Sequence, residues 1–278
     1  MRAVALHADV LVVAGSVLQT NCVVIRGTAV RGAEKGPLRV IDSEQEAALE
    51  VFIVDSPVLP DEIAALPSLL EQAGLPEPSA LLATHGDWDH LLAGMAFPGA
   101  PLGCSPATAE RLAASAGETE RELREFDAEL LIERPAGLAL GEIQALPVPG
   151  RLEIGELELE VHATAGHTAD GMALLAGWAG VLIAGDYLSP IEIPSLGEGG
   201  SVSAYLDTLD RLAELVGRVR HVVPGHGPVL APERALAVLA EDREYLQGLV
   251  AQGPSASLPP GRDTSRDVAL HAANAAAL

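Results

Sequence analysis

The chain has 278 residues, enough for one large domain or two small ones with a buried core. Its formal charge is −22, and Lys35 is the single lysine among 17 basic side chains. Such an acidic surface repels phosphate backbones and anionic lipids, so nucleic-acid and membrane partners are disfavoured and a small-molecule partner is expected.

With 49% hydrophobic residues, 28 glycines and 20 prolines, the composition is globular, rich in turns and built on Ala, Val and Leu. Met1 to Asp9 breaks its apolar run with His7 and Asp9, unlike the continuous hydrophobic segment of a secretory signal. No stretch reaches about 18 uninterrupted apolar residues, so no membrane span is expected and the reading is a soluble, cytoplasmic protein. Cys22 and Cys104 have no metal-type spacing and read as small core or surface residues. Oligomeric state is left open.

In chain order, Val10–Val13, Cys22–Ile25, Leu38–Ile41 and Val51–Val54 are β-type runs separated by turn residues. Pro67 to Gly74 predicts a short helix with proline near its start and glycine as its stop. A Leu81-Leu82 strand then leads into Thr84-His85-Gly86-Asp87-Trp88-Asp89-His90. Ser105 to Arg134 is helical in pattern and strongly charged, either a solvated helix pair or a cover over a site, and charge density favours the solvated pair.

A second β-rich stretch follows at Ile143–Val148, Leu157–Ala163, Met172–Ala176 and Val181–Ala184. Apolar positions at Val202, Tyr205, Leu209, Leu212 and Val216 predict a helix. Strand Val222-Val223 runs into Pro224-Gly225-His226-Gly227, and a last helix begins near Pro232. The expectation is one α/β domain over residues 1–252, with sheets inside and helices outside, and a flexible or lightly docked tail over 253–278.

Four places put histidine or aspartate just after a β run or at a glycine turn. They are His85/Asp87/Asp89/His90, His167 in Gly-His-Thr, Asp186 in Ala-Gly-Asp, and His226 in Pro-Gly-His-Gly. Strand ends place side chains along one rigid rim of a sheet, which suits a metal site. Imidazole with carboxylate oxygen fits zinc, iron or manganese, and the absence of thiolate argues against a structural zinc.

These four motifs, in this order, resemble those of the metallo-β-lactamase superfamily: T-H-x-H-x-D-H, a G-H-T turn, a G-D step and P-G-H-G. The approach Val51-Phe52-Ile53-Val54-Asp55 looks like that family's strand ending in aspartate. The resemblance implies an αβ/βα sandwich, two central mixed β-sheets with helices on the outer faces and a dinuclear site along one sheet edge. It implies a first metal on His85, Asp87 and His167, a second on Asp89, His90 and His226, and Asp186 between them. Two divalent ions are expected, zinc by default. Asp87 stands where most members have histidine, and its hard oxygen shifts preference toward iron or manganese. It either ligates the first metal, or binds weakly, through water or not at all and leaves that site poorly occupied, or faces solvent as a turn cap. If it ligates, the added negative charge weakens the metal as a Lewis acid and moves activity to the alkaline side of neutral.

The implied reaction is hydrolysis of an ester, thioester (glutathione conjugates included), lactone or phosphodiester by a metal-bridging hydroxide, with Asp89 as the catalytic carboxylate. The Tyr187 hydroxyl reads either as a substrate contact or as a core group. The alternatives are a non-haem di-iron redox enzyme of the same fold and a non-catalytic metal-binding protein.

Overall fold

The computed structural model describes residues 1–30, 47–115 and 117–278. The expected Leu38–Ile41 strand lies outside the described residues. The first sheet runs in chain order: β1 (Arg2–His7), β2 (Val10–Ala14), β3 (Asn21–Val30), β4 (Ala47–Val54), β5 (Ala80–Leu82), β6 (Leu102–Cys104) and β7 (Ile143–Ala145). The pairs from β1 to β4 are antiparallel and those from β4 to β7 are parallel.

The second sheet holds β8 (Gly150–Ile154), β9 (Leu157–Ala163), β10 (Met172–Ala176), β11 (Val181–Ile183) and β12 (His221–Val223), in the spatial order β12-β11-β10-β9-β8. Only its β11–β12 pair is parallel. Six helices accompany them among the described residues: α1 (Pro60–Gln72), α2 (Pro106–Ala114), α3 (Glu118–Leu130), α4 (Val202–Val216), α5 (Pro232–Gln252) and α6 (Ser265–Ala276). None of the helices there is long and apolar enough to cross a membrane.

The inner strands, β2 to β6 and β10 to β12, are largely apolar on both faces, and period-two alternation divides their side chains between two layers. Strands β8 and β9 turn Arg151, Glu153, Glu158 and Glu160 away from the core. Val10, Val12, Val23 and Ile25 point between the sheets, where they meet Leu159, Val161, Met172 and Leu174. Their neighbours Val13, Cys22 and Val24 face outward with Leu66 and Leu70 of α1. On the other side Ala173, Leu175 and Leu182 pack beneath Leu209 and Leu212 of α4 and Leu246 of α5. The result is helix, sheet, sheet, helix, the sandwich that the resemblance implies.

Two expectations need correction. Helix α1 begins at Pro60 and carries Pro67 inside it. Pro60-Asp61-Glu62 is the stronger start, with proline in the first turn and two acids at the positive end of the helix dipole. Burial of Ile63, Leu66 and Leu70 outweighs the backbone bond lost at Pro67. The segment 253–278 is a helical arm, where a flexible or lightly docked tail was expected. Thr264 and Asp267 form a reciprocal capping box that opens α6, and Arg262 before it is fully buried.

Candidate metal centre

The parallel strands β4, β5 and β12 and the antiparallel pair β10–β11 bring their ends to one rim, and each motif begins there. Asp55 follows β4 directly, in the left-handed conformation at φ 58°. Its carboxylate accepts the Thr84 N–H at 2.8 Å and the Thr84 hydroxyl at 2.9 Å, and it lies 3.0 Å from His90 Nδ1 as an ion-pair contact. Thr84 follows β5 and also sits 3.1 Å from His85 Nδ1. The strand-end aspartate thus positions both histidines of the opening motif. Ser56 accepts the Leu92 N–H at 3.0 Å and donates to the Asp89 carbonyl at 3.2 Å, which closes the turn that carries Asp89 and His90.

All four imidazoles turn Nε2 to a common interior. Nδ1 of His85, His167 and His226 has a hydrogen-bond partner behind it, while Nδ1 of His90 faces Asp55 at 3.0 Å without a hydrogen bond. Behind His167 and His226 are the carbonyls of Ser195 at 2.9 Å and Leu18 at 3.0 Å. Such outer contacts fix the ring and its tautomer. On the inner side Asp186 is central. Its Oδ1 lies 3.2 Å from His90 Nε2, and its Oδ2 lies 3.3 Å from His226 Nε2, 3.5 Å from His167 Nε2 and 3.8 Å from His85 Nε2. Asp87 Oδ2 lies 3.3 Å from His167 Nε2 and 3.5 Å from His85 Nε2, while Asp89 Oδ2 lies 3.4 Å from His226 Nε2. The structure therefore brings all seven residues together: His85, Asp87, Asp89, His90, His167, Asp186 and His226.

Donor atoms within 4.8 Å of one another form three sets: His85, Asp87 and His167; His85, His90 and Asp186; Asp89, His90 and His226. The Nε2 atoms of His85, His90 and His167 and Oδ1 of Asp186 are buried without a hydrogen-bond partner. Unsatisfied buried nitrogens converging on carboxylate oxygens suit a cation in their midst, so the donor set fits a divalent metal.

Electrostatics agrees with that fit. Burial pushes the His167 and His226 imidazoles down, but the surrounding carboxylates outweigh it. Asp87 and Asp186 bring His167 up to about 9, and Asp186, with Glu192 and Asp89, brings His226 up to about 10. Burial likewise raises the Asp87 carboxyl, yet His85 and His167 hold it well below the usual carboxylate range. Without a metal, the centre gathers protons as its positive charge.

Several residues around the centre escape the motif reading. Arg111 of α2 contacts Asp87 at 2.8 Å, Asp170 at 3.4 Å and Glu198 at 2.7 Å. Asp170 in turn accepts the Gly86 N–H at 3.0 Å, inside the histidine motif. Nothing local in the sequence marks these contacts, because they join α2 to loops far along the chain. Tyr187 proves to be a core group: its hydroxyl accepts the His167 N–H at 2.8 Å and donates to the Thr164 carbonyl at 2.9 Å. Both readings of the charged segment hold in part. Arg121–Glu118 and Arg124–Glu120 ion pairs occupy exposed positions, while Phe126 of α3 packs on Trp88 with ring centroids 4.5 Å apart.

A sequence model described as the metallo-beta-lactamase superfamily matches residues 50–226. No curated protein sequence matches the chain. Among solved structures, a metallo-beta-lactamase family protein of Thermus thermophilus superposes with a TM-score of 0.66 at 19% identity, over 98% of this chain and 93% of that one. TTHA1623, solved in a di-iron-bound form, gives 0.54 at 21% identity, over 82% and 97%. The sec-alkylsulfatase Pisa1 from a Pseudomonas species gives 0.66 at 13% identity, over 90% of this chain and 42% of that one. At these identities the structures speak for the fold alone, and the family match spans well over half of the residues. The chain belongs to the metallo-beta-lactamase superfamily.

Proposed function

We propose that the chain is a metal-dependent hydrolase of small molecules, with two divalent ions held by the seven residues of the centre. One observation carries the reading: buried, unpartnered imidazole nitrogens face a shared interior with Asp186 among them. His85, Asp87 and His167 would hold one ion and Asp89, His90 and His226 the other, with Asp186 between. Ions bound there supply Lewis acidity and a water acidic enough to ionise near neutral pH. The chain's own part is orientation. Asp89, 3.4 Å from His226 Nε2, would orient that water, and Asp55, Ser195 and Leu18 keep the rings aimed. The bond cleaved is an ester, thioester, lactone or phosphodiester.

Metal analysis of protein purified without added metal, together with turnover on a panel of these four bond types, tests the reading. Two ions per chain are expected, with hydrolysis that His226→Ala and Asp186→Ala abolish. Wild-type turnover in either variant would overturn it. A second reading, a di-iron redox enzyme, draws on the hard oxygen of Asp87 and on the di-iron form of TTHA1623. Iron content with visible absorption and no hydrolysis would favour it.

A further inference from the structure

We infer that the cleft over the centre selects its substrate by charge, accepting a cationic amphiphile (an ammonium-type group beside an apolar arm) and rejecting anions. The inference rests on the hydrolase reading for the bond that breaks and on the cleft alone for the charge.

The cleft has a volume of about 1070 Å³, with α2 and α3 on one wall, α6 on the other and the metal centre as its floor. At that floor His167 is 6% exposed, and its Nε2 has no hydrogen-bond partner. Eight carboxylates line the cleft against two guanidiniums, those of Arg111 and Arg266. Two divalent ions would add four positive charges, and the lining would still be negative by two. Arg111 is closed to an anion, since Asp87, Asp170 and Glu198 hold all three of its nitrogens. Arg266 pairs through Nη1 with Glu192 at 2.8 Å and is 47% exposed, so it is a single half-neutralised cation at the rim against the carboxylates. Glu122 and Glu129 of α3, by contrast, form no ion pair or hydrogen bond among the described residues. The Glu122 carboxyl is raised, first by burial and then by the negative charge of Asp87. A cation beside it relieves that repulsion, whereas an anion adds to it.

The apolar half of the recognition surface lies alongside. Trp88 and Phe126 line the same wall as Glu122, and Leu130, which is 46% exposed, continues it. Leu270 of α6 lines the opposite wall. Aromatic faces beside carboxylates are the chemistry that recognises quaternary ammonium groups, and the leucines offer a seat for an alkyl or acyl arm. Glutathione-type thioesters and phosphodiesters carry the wrong charge for this lining, which leaves carboxylic esters, lactones and thioesters of uncharged or cationic thiols.

Calorimetric binding of hexyltrimethylammonium and hexyl sulfate to the purified protein tests the charge directly. The ammonium should bind at least tenfold tighter, lose affinity as salt is raised, and lose most of its advantage in Glu122→Gln/Glu129→Gln. Equal affinities, tighter sulfate binding or no binding of either probe would overturn the inference. Turnover of hexanoylcholine, 3,3-dimethylbutyl hexanoate and sulfoethyl hexanoate should fall in that order of kcat/KM. Selective ammonium binding with no hydrolysis of these esters or of any member of the four-bond panel would sink the hydrolase reading and leave the charge selection standing. Hydrolysis indifferent to charge would do the reverse.

Discussion

Arg111 Nη2 lies 2.8 Å from Asp87 Oδ1, while Asp87 Oδ2 lies 3.3 Å from His167 Nε2. One carboxylate therefore faces a permanent cation on one side and the metal centre on the other. Exchanging an imidazole for aspartate adds a negative charge, and the guanidinium, shared with Asp170 and Glu198, returns part of a positive one. The alkaline shift expected from Asp87 alone should be reduced accordingly. Charge-assisted hydrogen bonds contribute about 1.5–3 kcal/mol. Arg111 also fixes the Asp87 carboxylate in place, and losing that positioning should outweigh the gain in negative charge, so Arg111→Met should weaken the first metal site by roughly tenfold or more. In an Asp87→His background the same change should do little, since an imidazole needs no counter-charge. Zinc titrations of stripped protein over this four-member cycle decide the matter. An equal loss in both backgrounds would mean that Arg111 acts only through Asp170 and Glu198.

Gly225 sits against Asp186 so closely that a Cβ there would stand 1.9 Å from Oδ1 of that carboxylate. Its own amide is engaged by the Gly185 carbonyl at 2.6 Å, which leaves the backbone little freedom to retreat. The Asp186 side chain must therefore move. Gly225→Ala should lower metal affinity by about a hundredfold or more, while overpacking costs only about 1–3 kcal/mol of stability. Metal titration beside thermal unfolding checks both halves. Unchanged affinity would remove Asp186 from the ligand set.

Much of this was legible in the sequence, for reasons that differ by residue. The seven ligand-type residues stand at strand ends, where a β run and a Gly or His motif are read together, and the rim follows from the sandwich. The two-layer core was legible in runs such as Val10–Val13. Arg111 was not, because its partners Asp87, Asp170 and Glu198 meet it only once α2 is folded over the rim. The arm at 253–278 was obscured by its Pro, Ser, Gly and Ala content, although Thr264 and Asp267 have the spacing of a capping box. Pro67 misled the helix start because tertiary burial of Leu66 and Leu70 overrides a local breaker.

The protons that gather in the metal-free centre predict a pH dependence. His167 is raised from 6.5 to about 9 and His226 from 6.5 to about 10, burial being outweighed by Asp87 and Asp186 at the first and by Asp186, Glu192 and Asp89 at the second. A raised imidazole stabilises the fold fully below its unfolded value and loses that contribution as pH climbs through its folded one. Stripped protein should therefore show a falling Tm between about pH 7 and 10. Metal-loaded protein should not share this loss, because ligating imidazoles are already neutral. Loading at neutral pH should also release protons, measurable by calorimetry in two buffers of different ionisation enthalpy. A flat Tm for the stripped protein across that range would contradict the assigned proton uptake.

Arg262 is the anchor of the C-terminal arm. It pairs with Asp242 in the core, contacts Glu241 at 3.0 Å, and donates to the carbonyls of Ser189 at 3.2 Å and Glu192 at 3.0 Å. One buried side chain thus ties α5 to the loop that carries Glu192, and α6 with Arg266 and Leu270 follows directly behind it. Asp242 is 1% exposed and burial raises its carboxyl to about 7 even beside Arg262, so Arg262→Met leaves a core acid that must take up a proton or stand without its counter-charge. Breaking one side of a buried pair costs about 3–5 kcal/mol, whereas replacing both sides with apolar groups of similar size is often neutral. Denaturant unfolding should show that loss for Arg262→Met and recovery of most of it in Arg262→Met/Asp242→Leu. The double variant should also hold α6 less firmly, because the bonds to Ser189 and Glu192 stay lost. Its amides in α6 should exchange faster than wild type even when global stability is restored. A double variant as unstable as the single one would show that Arg262 acts through those carbonyls and not through the Asp242 charge.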